Sequence, residues 1–212
     1  MRPAPQQGWV VPWLATEFPG LAVSWVEVEG GAGRSPEPVR AHLRTLSDRI
    51  YGPQAIRLRE QPVPWSYRVF FRQIGLDPDV TRTPVEQLIF ERLHDGGFKS
   101  QGLPADALTI ATVETGVALR AFDADYLEGK LCIRESMPDE ALAGDPVALD
   151  PGTLVLADEA HTLGLLFGAS AEPAMVGKES RRVAIAAVSV GSVSQMAIGE
   201  ALWMAAQTLA GE

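Results

Sequence analysis

The stretch from Pro104 to Ser136, PADALTIATVETGVALRAFDADYLEGKLCIRES, gathers carboxylates, hydroxyls and a guanidinium around a short helix, a tight turn and the polar end of a strand. Arg120 carries a planar fork that can grip a carboxylate or phosphate bidentately. It stays protonated near neutral pH, so it anchors anions and does not act as a base. The same side chain has a plainer use, an ion pair with Asp123 or Asp125 across the following turn. Asp106 falls where a carboxylate caps the first turn of a helix, and Asp123 where one steadies a turn. The pattern Asp123-x-Asp125 alone is too short a ligand set for a metal.

Other reactive patterns are missing from the chain. It has no Gly-x-Ser-x-Gly elbow and no His-Glu-x-x-His, and its lone cysteine, Cys132, has no catalytic partner at the sequence level. Cys132 sits in KLCIRES, an alternating strand pattern, and is expected to pack as a small apolar group. His42, His94 and His161 are far apart in sequence, and His94 near a helix C-terminus is explained by the helix dipole. The run Gly30-Gly31-Ala32-Gly33 follows a strand, but it lacks the Lys-Ser/Thr of a phosphate loop and the full dinucleotide spacing. Neither a metal nor a cofactor is expected.

The elements that must position these groups read as a single α+β domain. A length of 212 residues with 46% hydrophobic and 21% charged content is ordinary for one globular unit. Leu21–Glu29 nearly alternates and reads as a strand; Pro36 and Pro38 then start a helix, in which Val39, Leu43, Leu46 and Ile50 share one face as far as Tyr51. A helix is predicted over Trp65–Gln73. A better-signed one starts at Thr83-Pro84-Val85-Glu86, a capping box, and ends at Asp95-Gly96-Gly97. Pro104–Thr115 makes a short helix closed by Gly116. VALRAF, KLCIRES, TLVLAD and HTLGLLF then read as strands, with a last strand near Val183–Val190 and a helix from Ser194 to Ala210. Because helices and strands are grouped rather than strictly alternating, the expected class is α+β.

Charge sets limits on partners. The formal net charge of −9 opposes simple attraction to nucleic acid, whose phosphates supply most sequence-independent affinity, so DNA is not expected as a partner. The distribution is uneven, however. Between Arg34 and Arg72 eight arginines face three acids, a local surplus of five that includes Arg40 and Arg44 on one helix face. Such a stripe suits RNA backbone, and it also fits a solvated helix face. The N-terminus lacks the apolar core of a signal peptide, and the most apolar stretch, Val183–Gly211, is interrupted by polar residues. A cytoplasmic protein without a membrane span is expected.

The order Asp106, Thr109, Glu114, Gly116 and Ala121-Phe122-Asp123 resembles the editing and tRNA-binding B3/B4 domain of the phenylalanyl-tRNA synthetase β subunit. RTPVEQLIFERL (Arg82–Leu93) resembles the arginine-proline-led helix of free-standing relatives, and LDPGTLVLADEAHTLGLLFGA (Leu149–Ala169) its strand pair. The likeness is best over 62–209. It extends more faintly over 1–212, with the strand and Arg-rich helix of 1–60 integral to the domain. It implies a layered, β-sandwich-like core with flanking helices, and a pocket between β layers that hydrolyses a wrongly attached tyrosine from phenylalanine tRNA.

Carried over residue by residue, the likeness puts Arg120 in place of the family's histidine. Leu108 stands for its threonine, with Thr109 beside it, and Ser170 stands for its glutamate unless a two-residue slip supplies Glu172. Losing both histidine and glutamate removes the obvious acid–base groups. The resemblance thus implies a substrate pocket using Arg120, Asp123, Asp106, Thr109 and Ser170, with Arg82 and Glu86 at its border and Arg40 and Arg44 toward RNA. The implied ligands are tRNA and a small amino-acid-like molecule. Two activities follow: binding of aminoacyl-tRNA or an amino-acid derivative with hydrolysis of a mischarged ester in trans, or a module that kept the scaffold, without editing, for RNA, small-molecule or small-metabolite work.

Overall fold

The computed structural model describes residues 4–211. Among them, two four-stranded sheets pack against one another, and helices cover the far side of the first. The first sheet is antiparallel throughout, in the order β1 (Gln6–Gln7), β3 (Ala22–Glu29), β8 (Arg182–Ser189), β4 (Ala118–Asp123). The second runs β2 (Trp9–Val10), β5 (Cys132–Glu135), β6 (Leu154–Ala157), β7 (Thr162–Leu165), with only the β2–β5 pair parallel. This is the α+β, sandwich-like arrangement expected from the sequence.

Strand β8 sets the layering. From Val183 to Ser189 every residue is buried, so both of its faces must be covered. On one side α6 (Leu103–Thr115) and α7 (Gln195–Ala210) lie along β4, β8 and β3. On the other, Val23 and Val188 share a core with Ile133, Leu156 and Leu163 of the second sheet. Each aliphatic side chain fully withdrawn from water there contributes about 1.5–3 kcal/mol. Helix α7 starts at Ser194, whose hydroxyl accepts from the Ala197 N–H at 3.2 Å, and stops at Gly211 in the left-handed region, φ 77°.

Helix α4 (Pro62–Gln73) pins the sheet edge. The buried Tyr67 hydroxyl donates to the Val188 carbonyl at 2.5 Å and accepts from the Ala118 N–H at 3.0 Å, which joins α4 to both β8 and β4. Tyr67, Phe70 and Phe71 surround the Phe167 ring at centroid distances of 5.9, 6.0 and 5.2 Å and fix the turn after β7. Helix α5 (Pro84–Asp95) shows the predicted capping box. Glu86 Oε2 accepts from the Thr83 N–H at 3.3 Å and from its hydroxyl at 2.8 Å, and the helix closes on Gly96 at φ 77°. The other Glu86 oxygen accepts from buried Arg68 at 2.6 Å, so one carboxylate both caps α5 and ties it to α4.

Several elements lie beyond the sequence expectations. Helices α1 (Pro12–Glu17) and α3 (Gly52–Arg59) bury one residue, Leu14, and none, respectively, so neither writes an apolar period into the chain. The two-residue strands β1 and β2 exist only through pairing with β3 and β5. Helix α4 begins at Pro62, three residues before Trp65, because Pro62 and Pro64 fit its first turn. Helix α2 (Glu37–Arg49) starts between Pro36 and Pro38, where those prolines lead into it, and stops at Arg49, two residues before Tyr51. Cys132 is buried in β5, and burial pushes its thiol up to about 11, so it packs as an inert apolar group.

An ion pair fastens the loop after β5. Arg134 donates to Glu140 at 2.8 and 2.7 Å and to the Thr162 hydroxyl at 2.7 Å, and that hydroxyl also reaches Glu140. The hydrogen bonds from Arg134 are the main reason the Glu140 carboxyl drops from 4.5 to about 2. A carboxyl with a lower pKa folded than unfolded gives its full stabilisation above 4.5 and loses it as pH falls toward 2. Glu140→Gln is therefore expected to lose about 1–3 kcal/mol at neutral pH and to flatten the acid limb between those values, read from urea midpoints across pH. Tyr67→Phe strands the Val188 carbonyl and the Ala118 N–H and is expected to cost about 1–3 kcal/mol in the same assay, with an unchanged denaturant slope.

Candidate functional site

Strand β4 is the last of its sheet, paired with β8 on one side and with no other strand among the described residues. Beside this open edge lies a cavity of about 350 Å³. It is walled by Leu119 and Arg120 of β4, Leu108, Thr109 and Thr112 of α6, Arg82 and Gln87 at the start of α5, and Phe167 and Gly168. Helix α6 supplies its part because Ala105, Leu108, Thr109 and Thr112 share one face, while Ile110 and Val113 on another face pack with Leu43 and Leu46 of α2. Leu108 and Thr109 thus both line the same hollow.

Arg120 is half-buried and crosses toward the second sheet. Its Nη1 donates to the Leu165 carbonyl and its Nη2 to the Ser170 hydroxyl, each at 2.6 Å. The alternative pairing across the turn does not form. Asp123 accepts from the Ser180 hydroxyl at 2.5 Å and the Asp125 N–H at 2.9 Å, and Asp125 binds Arg182 at 2.8 Å. No carboxylate among the described residues pairs with Arg120. Burial without a counter-ion pulls its pKa down to about 10, and it remains a cation at neutral pH.

The guanidinium has room because Gly164 of β7 has no side chain. A Cβ there would meet the Ala169 carbonyl oxygen at 2.5 Å, Ser170 Cα at 2.9 Å and Arg120 Nη2 at 3.0 Å. Sequence reasoning passed over Gly164, Thr112 and Phe167. The available signals were a glycine inside a strand pattern, which marks close approach, and hydroxyls three residues apart on a helix.

The candidate residues named from the sequence divide into two groups. Thr109 and Arg120 line the cavity, and Ser170 holds the Arg120 fork. Glu172 lies elsewhere, against Gly144, where an added Cβ would come within 2.8 Å of its Oε2, so Ser170 and not Glu172 sits next to Arg120. Asp106 is outside the cavity. It is buried in the first turn of α6, not at its cap, and accepts from the hydroxyls of Ser35 and Ser100, each at 2.5 Å, and from the Gln101 N–H at 2.8 Å. Asp123 is likewise held in its turn. Glu86 is turned toward Arg68 and Thr83, whereas Arg82 does reach the cavity, with its guanidinium 3.7 Å above the Phe90 ring. Asp158 belongs to a turn and accepts from the N–H groups of Glu128, Ala160 and His161.

Much of the arginine surplus is neutralised locally. Arg40 and Arg44 both meet Glu37 at 2.5 Å, Arg49 meets Glu114 at 2.7 Å, and Arg68 meets Asp79 at 2.7 Å. The Arg44 and Arg40 guanidiniums hold the Glu37 carboxyl below its ordinary pKa.

The model of the B3/4 domain family matches residues 66–199. The chain belongs to the B3/4 domain family. It is 32% identical over 112 residues to the phenylalanine–tRNA ligase β subunit of Nitrosococcus oceani, a match covering 51% of this chain and 14% of that protein. With the β subunit of Leifsonia xyli subsp. xyli it shares 27% identity over 185 residues, 82% of this chain and 21% of the relative. The chain therefore spans only a small part of the ligase subunits it resembles. No helix among the described residues is long and apolar enough to cross a membrane.

Gly164→Ala pushes a methyl into the Ala169–Ser170 backbone and the Arg120 fork. It is expected to destabilise by about 1–3 kcal/mol in thermal or urea unfolding. Gly33→Ala, whose Cβ meets nothing within 4 Å, serves as the neutral control.

Proposed function

We propose that this B3/4 domain takes up the aminoacyl end of a charged tRNA, or an amino-acid derivative of similar shape, in the cavity beside β4, and that it binds this ligand without hydrolysing it. The observation that carries the reading is Arg120, a desolvated cation facing a cavity with its fork fixed by two neutral acceptors and no carboxylate to quench it. A guanidinium prepared in this way loses little freedom when a ligand oxygen arrives, and that favours recognition. Leu108, Leu119 and Phe167 supply apolar wall for a side chain, and Thr109 and Thr112 supply hydroxyls. The named activity of the ligase subunits supports the tRNA side of the proposal.

Hydrolysis is disfavoured by the composition of the wall. Among the described residues it holds guanidiniums, amides and hydroxyls but no carboxylate or imidazole, and none of those groups takes a proton from water near neutral pH. Arg40 and Arg44, on the far side of α6 from the cavity, would meet RNA backbone away from the aminoacyl end.

The test is filter binding and deacylation with tyrosine-, serine- and alanine-charged tRNAs. Expected are binding of charged tRNA and a deacylation rate equal to buffer. Arg120→Gln should lose about tenfold in affinity. The double change Arg40→Ala, Arg44→Ala should lower the salt slope without changing the preference for charged over uncharged tRNA. Deacylation well above buffer would move the protein to the hydrolase reading, and Arg120→Gln binding like the parent would refute the cavity.

A further inference from the structure

A chain with nine net negative charges has placed no carboxylate at the wall of this cavity among the described residues, yet two arginines line it. Arg120 commits its terminal nitrogens to a carbonyl and a hydroxyl, both neutral, and leaves the remaining N–H donors of the fork without a partner among the described residues. Arg82, exposed and ahead of α5, rests on the neutral face of Phe90 at 3.7 Å. Several other arginines pair with acids, as at Arg40, Arg44, Arg68 and Arg134, whereas Arg92, away from the cavity, donates to the Ser47 carbonyl. Two cations lining one cavity favour a ligand that supplies the opposite charge.

We infer that the ligand of this cavity carries an oxyanion, a carboxylate or a phosphate, seated on half-buried Arg120 and met at the exposed rim by Arg82. The inference rests on the cavity being the ligand site, as proposed above. It makes Arg82 a specificity-determining residue. Its charge selects anionic over neutral ligands, while stacking on Phe90, which lines a neighbouring hollow with Glu86 and Asp79, holds that charge at the rim the two hollows share. An oxyanion of this kind has two sources, the free carboxylate of a small amino-acid derivative or the last phosphate of an RNA strand, and both match the planar fork of an arginine.

Calorimetric titration of two probe pairs separates the sources. N-acetyl-L-phenylalanine is compared with its uncharged methyl ester, and adenosine 5′-monophosphate with adenosine. Charged tRNA binding is followed in parallel. In the parent protein one anionic probe is expected to bind about tenfold or more tighter than its neutral partner: the acid for a small carboxylate ligand, the nucleotide for an RNA phosphate. Arg82→Met keeps an apolar side chain over Phe90 at an exposed position and is expected to fold normally. It should erase that margin by bringing the anionic probe's affinity down toward that of its neutral partner, and Arg120→Gln should do the same. Neutral probes binding as tightly as anionic ones would overturn the oxyanion seat and leave the cavity standing as the ligand site. If none of the four probes binds and Arg120→Gln leaves charged tRNA binding untouched, both the seat and the cavity fall.

Discussion

Burial of both faces of β8 is the constraint from which the rest of the molecule follows. Seven consecutive residues from Val183 to Ser189 are withdrawn from water, and alanines at 184, 186 and 187 keep the strand thin enough for close approach on either side. One face needs helices and receives α6 and α7; the other needs a second sheet and receives β5 to β7. With β3 on its other side, β8 leaves β4 as the edge strand. The unfilled space at that edge is bounded by whatever the two layers bring there: the Thr109 face of α6, the start of α5 and the turn carrying Phe167. The cavity is thus a by-product of layering at a sheet edge, and its shape is held by elements with strong reasons of their own to be in place.

Within that frame the polar groups have two distinct uses. Asp106, Asp123, Asp158, Glu86 and Glu140 each accept two or more hydrogen bonds from neighbouring backbone or side chains and hold turns, helix starts or loops. A buried carboxylate satisfied in this way stabilises local geometry and has little capacity left for a ligand. Arg120 is the opposite case. Its partners are neutral, its charge is uncompensated, and Gly164 and Ser170 give it a fixed course across β7. A side chain held in one geometry by neighbours that do not cancel its charge has met its ordering cost during folding and keeps that charge unquenched.

The local elements were legible wherever a residue type dictates backbone behaviour. Thr83-Pro84-Val85-Glu86 announced the start of α5, Gly96 and Gly116 the ends of α5 and α6, and the unbroken apolar run after Val183 the central strand. Helix α3 was not legible, because it buries nothing and its pattern carries no period, and neither were β1 and β2, whose two residues become strands only by pairing. The site divides in the same manner. Arg120 and Thr109 were identifiable by chemistry and family likeness, whereas Thr112, Phe167 and Gly164 gained meaning only beside β4.

By itself the sequence determined the α+β class, the membership signalled by its motifs, and a short set of polar residues capable of recognition, because turns, caps and apolar periods are properties of neighbours along the chain. Only the tertiary structure decided which of those residues share a space. Asp106 and Asp123 look no different from ligand-binding carboxylates in the linear text, but Ser35 lies 71 positions from Asp106 and Ser180 lies 57 from Asp123, and these distant hydroxyls claim them. Arg120, 50 positions from Ser170, is left with its charge facing the cavity. Whether a polar group is satisfied or available depends on contacts between segments far apart in sequence, and those are fixed when the two sheets and the helices close on β8.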